Sequence, residues 1–97
     1  MTTYRLEAWS ASIALATCTA DEYDAAVACS DPSDHTFTTR DAVEAWLDLG
    51  ERCVDPARDG RRFVEVFLYI GRSTTPHATY RRARNGAYVL AGSEGAL

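Results

Sequence analysis

Ninety-seven residues allow one domain spanning 1–97, and 46% hydrophobic with 25% charged residues is ordinary globular usage, which argues against a disordered tail. No run approaches the ~20 apolar residues of a membrane span. A formal net charge of −4 and a pI near 5.0 argue against a dedicated nucleic-acid binder, which usually carries a basic domain.

Residues 3–9 partly alternate and start with β-formers, so they predict a strand that could run on to Thr17; a helix over 10–17 competes, because Ala and Leu dominate there. Leu15-Ala16-Thr17-Cys18 looks faintly like a lipoprotein cleavage site, but Arg5 stands alone and Glu7 follows it. A strand is therefore expected rather than a secretory signal. Thr19 and Glu22 fit a capping box and open a first helix over about 20–29. Ser30-Asp31-Pro32-Ser33-Asp34 reads as a turn.

Thr39 caps a second helix, in which Val43, Trp46 and Leu47, followed by Cys53 and Val54, mark one apolar face. Asp41, Glu44, Asp48 and Glu51 point elsewhere, and Gly50 loosens or ends the helix. Residues 54–60 are turn chemistry. Arg62 to Ile70 is the clearest strand: Val64, Val66, Leu68 and Ile70 share one face, and Phe63, Glu65, Phe67 and Tyr69 share the other. Large apolar groups on both faces predict a central strand, or one whose second face a partner covers.

Asn85-Gly86 between two β-like runs predicts a hairpin. A two-residue loop would pair Arg82 with Val89 and Arg81 with Leu90. It would put Tyr80, Arg82, Arg84 and Val89 on one face, with Ala83, Tyr88 and Leu90 on the core side. Residues 92–97 are expected to be a loose tail. The fold class predicted is α+β: a four-stranded, mostly antiparallel sheet with two helices packed on one face, in the order β-α-α-β-β-β.

Cys18, Cys29 and Cys53 are odd in number and contain no Cys-x-x-Cys, which predicts buried free thiols in a reducing, cytoplasmic setting. All ten basic residues are arginine and sixteen residues are alanine, which suits a GC-rich coding sequence of bacterial or phage type. Trp46 is expected in the core, and Trp9 in the core or as an interface anchor.

The informative feature is a charge split. Residues 1–60 hold twelve acids and four arginines, net −8, whereas residues 61–97 hold two acids and six arginines, net +4. The bland account is solvated helix faces over Arg-bearing strands. The functional account takes the acidic helices, with Asp21, Asp24, Asp41, Glu44, Asp48 and Glu51, as the surface that steers a basic or nucleic-acid-binding protein partner. That is the behaviour of small acidic inhibitors and immunity-type or anti-defence accessory proteins. The alternative takes Arg81, Arg82, Arg84 and Tyr80 of the hairpin as a nucleic-acid grip. Self-association into a homodimer is compatible with either.

An enzyme of unknown class ranks third. His35 and His77 are the only histidines and sit in turn-like surroundings. No Gly-rich phosphate loop or catalytic motif occurs. His35 with Asp31 and Asp34 reads as a capped turn before it reads as a metal site, so no cofactor and no metal are expected.

Overall fold

The computed structural model describes residues 2–15, 17–50, 53–55 and 61–93. Among these residues, five strands and two helices follow in the order β1 (Tyr4–Ala11), α1 (Ala20–Ala28), β2 (Pro32–Phe37), α2 (Arg40–Asp48), β3 (Arg62–Ile70), β4 (Ala78–Arg82) and β5 (Tyr88–Ser93). The strands form one antiparallel sheet in the spatial order β2-β1-β3-β4-β5. The class is α+β as expected, with five strands in place of four. No described helix is long and apolar enough to cross a membrane.

The additional strand is β2, which the sequence reading took for a turn. Its residues alternate between exposed (Pro32, Asp34, Thr36) and half-buried (Ser33, His35, Phe37). It is held in register by β1, with Leu6 opposite His35 and Ala8 opposite Ser33. Pro32 is tolerated because it is the first residue of an edge strand, where a missing N–H breaks no ladder. β1 ends at Ala11, and no helix forms over 12–15.

Both helix starts follow from their caps. The Thr19 hydroxyl accepts the Glu22 N–H at 3.1 Å, and the Thr39 hydroxyl accepts the Ala42 N–H at 3.1 Å. After α2, Gly50 takes a left-handed conformation, φ 53°. A Cβ there would meet the Gly86 carbonyl oxygen at 2.9 Å, so glycine lets the end of α2 pack against the hairpin turn. Cys53–Asp55 then pairs with the start of β3: Phe63 N–H donates to the Cys53 carbonyl, and Asp55 N–H to the Arg61 carbonyl. Of the turn expected over 54–60, Val54 and Asp55 instead pair with the start of β3, and 56–60 lie outside the described residues, as does Glu51.

The hairpin register differs from the expectation by one residue. Arg82 faces Tyr88, Arg81 faces Val89 and Tyr80 faces Leu90. The connection is a three-residue loop, Arg84-Asn85-Gly86. Gly86 N–H donates to the Ala83 carbonyl, Ala83 N–H donates to the Ala87 carbonyl, and Gly86 sits at φ 90°. This is a type I turn followed by a left-handed bulge residue, the usual three-residue solution. One residue of slip exchanges faces. Tyr80 therefore lies in the core at 9% exposure rather than outside. Of the tail expected over 92–97, Gly92 and Ser93 belong to β5, and 94–97 lie outside the described residues.

The helices cover opposite faces of the sheet, not one face. Val43 of α2, with half-buried Trp46 and Leu47, packs on Leu6, Ala8, Phe63, Val66, Leu68 and Tyr80. Tyr23 of α1, with Ala26 and Val27, packs on Ala11 and Val64. A bulge opposite Trp9 and Ser10 explains why Phe63, and not Val64, shares a face with Val66 and Leu68. Trp9 faces Glu65 while Ser10 faces Phe63, which leaves Val64 as the extra residue. Strict alternation had placed Val64 with Val66 and Phe63 with Glu65.

Candidate functional site

The face under α2 is closed. Leu6, Ala8, Val66 and Leu68 are fully buried, and Val43 is 1% exposed. Its polar groups are turned inward. The Ser10 hydroxyl donates to Asp55 Oδ2 at 3.0 Å, and both residues are buried. His35, expected in a polar turn, points into this layer, with its ring 5.2 Å from Trp46 and 5.5 Å from Phe63. Burial holds its imidazole below the ordinary value, against the opposing pull of Asp34 and Asp55. Cys53 is buried with its thiol on the Trp46 carbonyl, Cys18 is half-buried, and Cys29 is exposed, which corrects the expectation of three buried thiols.

The opposite face is only partly covered. α1 sits over one end of it, tied down by the Tyr23 hydroxyl donating to the Val64 carbonyl at 2.7 Å. Beyond α1 lie Trp9, Phe67 and Tyr69, all half-buried, on the central strands β1 and β3. Between α1 and the sheet runs a cleft of about 250 Å³. Its walls are Trp9 and Phe67 on the sheet and Val27 and Ala28 on the helix; its polar end is Asp24, Glu65 and Arg81.

Two arginines on this face are held in the same way. Arg81 lies 5.0 Å over the Tyr23 ring and pairs with Asp24 at 3.5 Å and Glu65 at 3.7 Å. Arg5 lies 4.2 Å over the Tyr69 ring and pairs with Asp34 at 3.1 Å and Glu7 at 3.5 Å. Each guanidinium thus has an aromatic ring beneath it and two carboxylates beside it. The arrangement combines cation–π attraction with charge-assisted pairing. Four carboxylates on two guanidiniums leave these six groups with an excess of two negative charges.

Glu65 is the most unusual of the four. It is only 8% exposed. Burial raises its carboxyl above the ordinary value, Arg81 opposes that rise, and Asp24 adds to it. Glu7 serves a second purpose, accepting the Trp9 indole N–H at 3.0 Å and so fixing the ring that walls the cleft.

The sequence-predicted acidic residues divide between the two sides. Asp21 and Asp24 are exposed on α1, beside the open face. Asp41, Glu44 and Asp48 are exposed on α2, on the far side of the sheet. They do not form one continuous patch. Nor do the hairpin arginines. Arg81 belongs to the open face, while Arg82 shares the α2 side with Tyr88 and Tyr80 and directs its Nε toward the Gly86 carbonyl at 3.5 Å. Arg84 is exposed in the turn, and Tyr80 is buried, so it offers no ring for a base to stack on. His35 and Asp34 are neighbours that point to opposite faces. Among the described residues no three His, Cys, Asp or Glu side chains converge as a metal site.

Sequence reasoning pointed to β3 as apolar on both faces but missed the cleft, because it placed both helices together. The available signal was Trp9 spaced two residues from Glu7 and four from Arg5, an aromatic residue among charges on one strand face. No protein-family model, curated protein or solved structure matches this chain.

Proposed function

We propose that this is a non-enzymatic protein-binding domain, of inhibitor or immunity type, that docks a basic protein partner on the open face of its sheet. The cleft between α1 and the sheet receives an arginine side chain of that partner. One observation carries the reading: the same face already holds two guanidiniums over aromatic rings and between carboxylates, yet retains surplus negative charge beside a half-exposed Trp9–Phe67 strip. Partly buried aromatic anchors rimmed by charge are the usual makings of a binding hot spot. The long arginine stem suits the apolar walls, and its planar head suits Glu65 and Asp24.

A hexa-arginine peptide titrated into the isotope-labelled protein tests this by amide and indole N–H shifts. The Trp9 indole signal is expected to move saturably while the core Trp46 signal stays put. Phe67→Ala and Glu65→Gln should each weaken the response. A Trp9 signal that never moves, or one that moves as much in both variants as in the parent, rejects the reading.

A further inference from the structure

We infer that β5 is a self-pairing edge: two copies of this chain join β5 to β5, antiparallel across a two-fold axis, into a ten-stranded sheet. This does not depend on the open-face reading.

The two edges of the sheet differ in a way that has a purpose. β2 at one edge carries Pro32 and the exposed Asp34. Proline and charge are the usual devices that keep an edge from pairing with another chain. β5 at the other edge, Tyr-Val-Leu-Ala-Gly-Ser, has neither proline nor charge. It also holds two of the three large exposed hydrophobic side chains among the described residues, Val89 at 53% and Leu90 at 55%. They stand on opposite faces, so no single helix or loop on one side could cover both.

The backbone is arranged for pairing. Ala83 and Ala87 form a hydrogen-bonded pair at the base of the hairpin, through Ala83 N–H and the Ala87 carbonyl. Alternation along an antiparallel ladder then turns Val89 toward β4, and turns the N–H and C=O of Tyr88 and Leu90 outward.

A second copy is the occupant the chemistry favours. A strand without charge has nothing with which to select a basic or acidic partner strand. Against itself it meets no like-charge penalty, and two-fold pairing matches every outward donor with an outward acceptor. Six residues a side bury less than the roughly 1,200 Å² of a standard interface, so the dimer is expected to be concentration-dependent, with a dissociation constant on the order of micromolar.

Sedimentation equilibrium of the intact chain from low to high micromolar concentration is the test. A monomer–dimer equilibrium is expected in the parent. Val89→Lys combined with Leu90→Lys should weaken it by on the order of tenfold or more, with melting temperature unchanged, because both positions are already exposed. Amide exchange in the unmodified protein gives a second readout: Tyr88 and Leu90 should slow as concentration rises. A parent that is monomeric throughout, a double variant that dimerises as well as the parent, or Tyr88 and Leu90 amides whose exchange ignores concentration would each overturn the inference.

Discussion

The two faces of this sheet are built from similar side chains and put to different use. Both carry aromatic residues and both carry titratable groups. Under α2, Trp46, Phe63 and Tyr88 stack closely, with Trp46 5.9 Å from each of the other two rings, and seal His35 among them. On the other side Trp9, Phe67 and Tyr69 stand apart, interleaved with Arg5, Glu7, Glu65 and Arg81. The difference lies in the helices. Each helix fully buries one residue, but α2 lays Val43, Trp46 and Leu47 over the middle of the sheet, whereas α1 lays Tyr23 and the smaller Ala26 and Val27 over Ala11 and Val64 at one end. Among the described residues this face is left half-covered across two adjacent strands of the sheet, and the docking role proposed above rests on that.

The sharpest way to break this contrast is to truncate adjacent residues of β3. Leu68 is fully buried and Phe67 is its neighbour on the open side. Leu68→Ala should cost about 2–5 kcal/mol in urea unfolding, through lost burial plus the cavity left behind. Phe67→Ala should cost less, about 1–2 kcal/mol, since its ring is only partly buried and already borders the cleft, so its removal leaves no closed cavity. Equal costs would mean that the open face is structural and would remove the basis for a docking role.

The pH dependence of stability should carry opposite signs on the two faces. His35 is held below its ordinary value of 6.5, so the folded state resists its protonation while the unfolded state accepts it. Its contribution is complete above pH 6.5 and is lost as pH falls through the lowered folded value. Glu65 is held above its ordinary value of 4.5. Its contribution is complete below that value and is lost as pH rises through the raised folded one. Urea unfolding across pH 4–8 should therefore show His35→Gln removing part of the acid-side loss. Glu65→Gln should remove part of the loss on the rising side. If both variants shift the curve in the same direction, the environments assigned to the two faces are wrong.

What could be read in the sequence follows locality. The strand over 62–70 was legible because its nine residues are rich in β-branched and aromatic side chains, although the bulge at Val64 that breaks their alternation was not, and both helix starts were legible because a cap is a four-residue signal. β2 was not, because Pro32, Ser33 and Asp34 are turn formers whose strand state comes from pairing with β1, more than twenty residues earlier. Asn85-Gly86 located the hairpin but not its register. The same glycine can close a two-residue loop or serve as the left-handed third residue of a longer one, and the choice decides whether Tyr80 is inside or out. The cleft was the least legible feature. It depends on the side of the sheet that α1 chooses, and α1, with four alanines in nine residues, carries little pattern to announce it.

The smallest effect separates the two acidic surfaces. Asp41, Glu44 and Asp48 lie on α2, across the sheet from the cleft. A helix layer on a sheet is ~10 Å thick, and charges are screened over ~8 Å at physiological ionic strength. Reversing all three to Arg should leave stability within about ±1 kcal/mol, because the unfavourable reversal at Asp41 in the first turn of α2 is offset by the favourable one at Asp48 in its last turn, and Glu44 is exposed. Hexa-arginine binding at 0.15 M salt should change by less than about twofold, with a larger effect appearing only at low salt, where the field reaches further. If the α2 stripe were itself the contact surface, the same reversal would abolish binding at any salt concentration. Comparing the triple reversal with Glu65→Gln, under identical salt, thus decides which face of the sheet the partner meets.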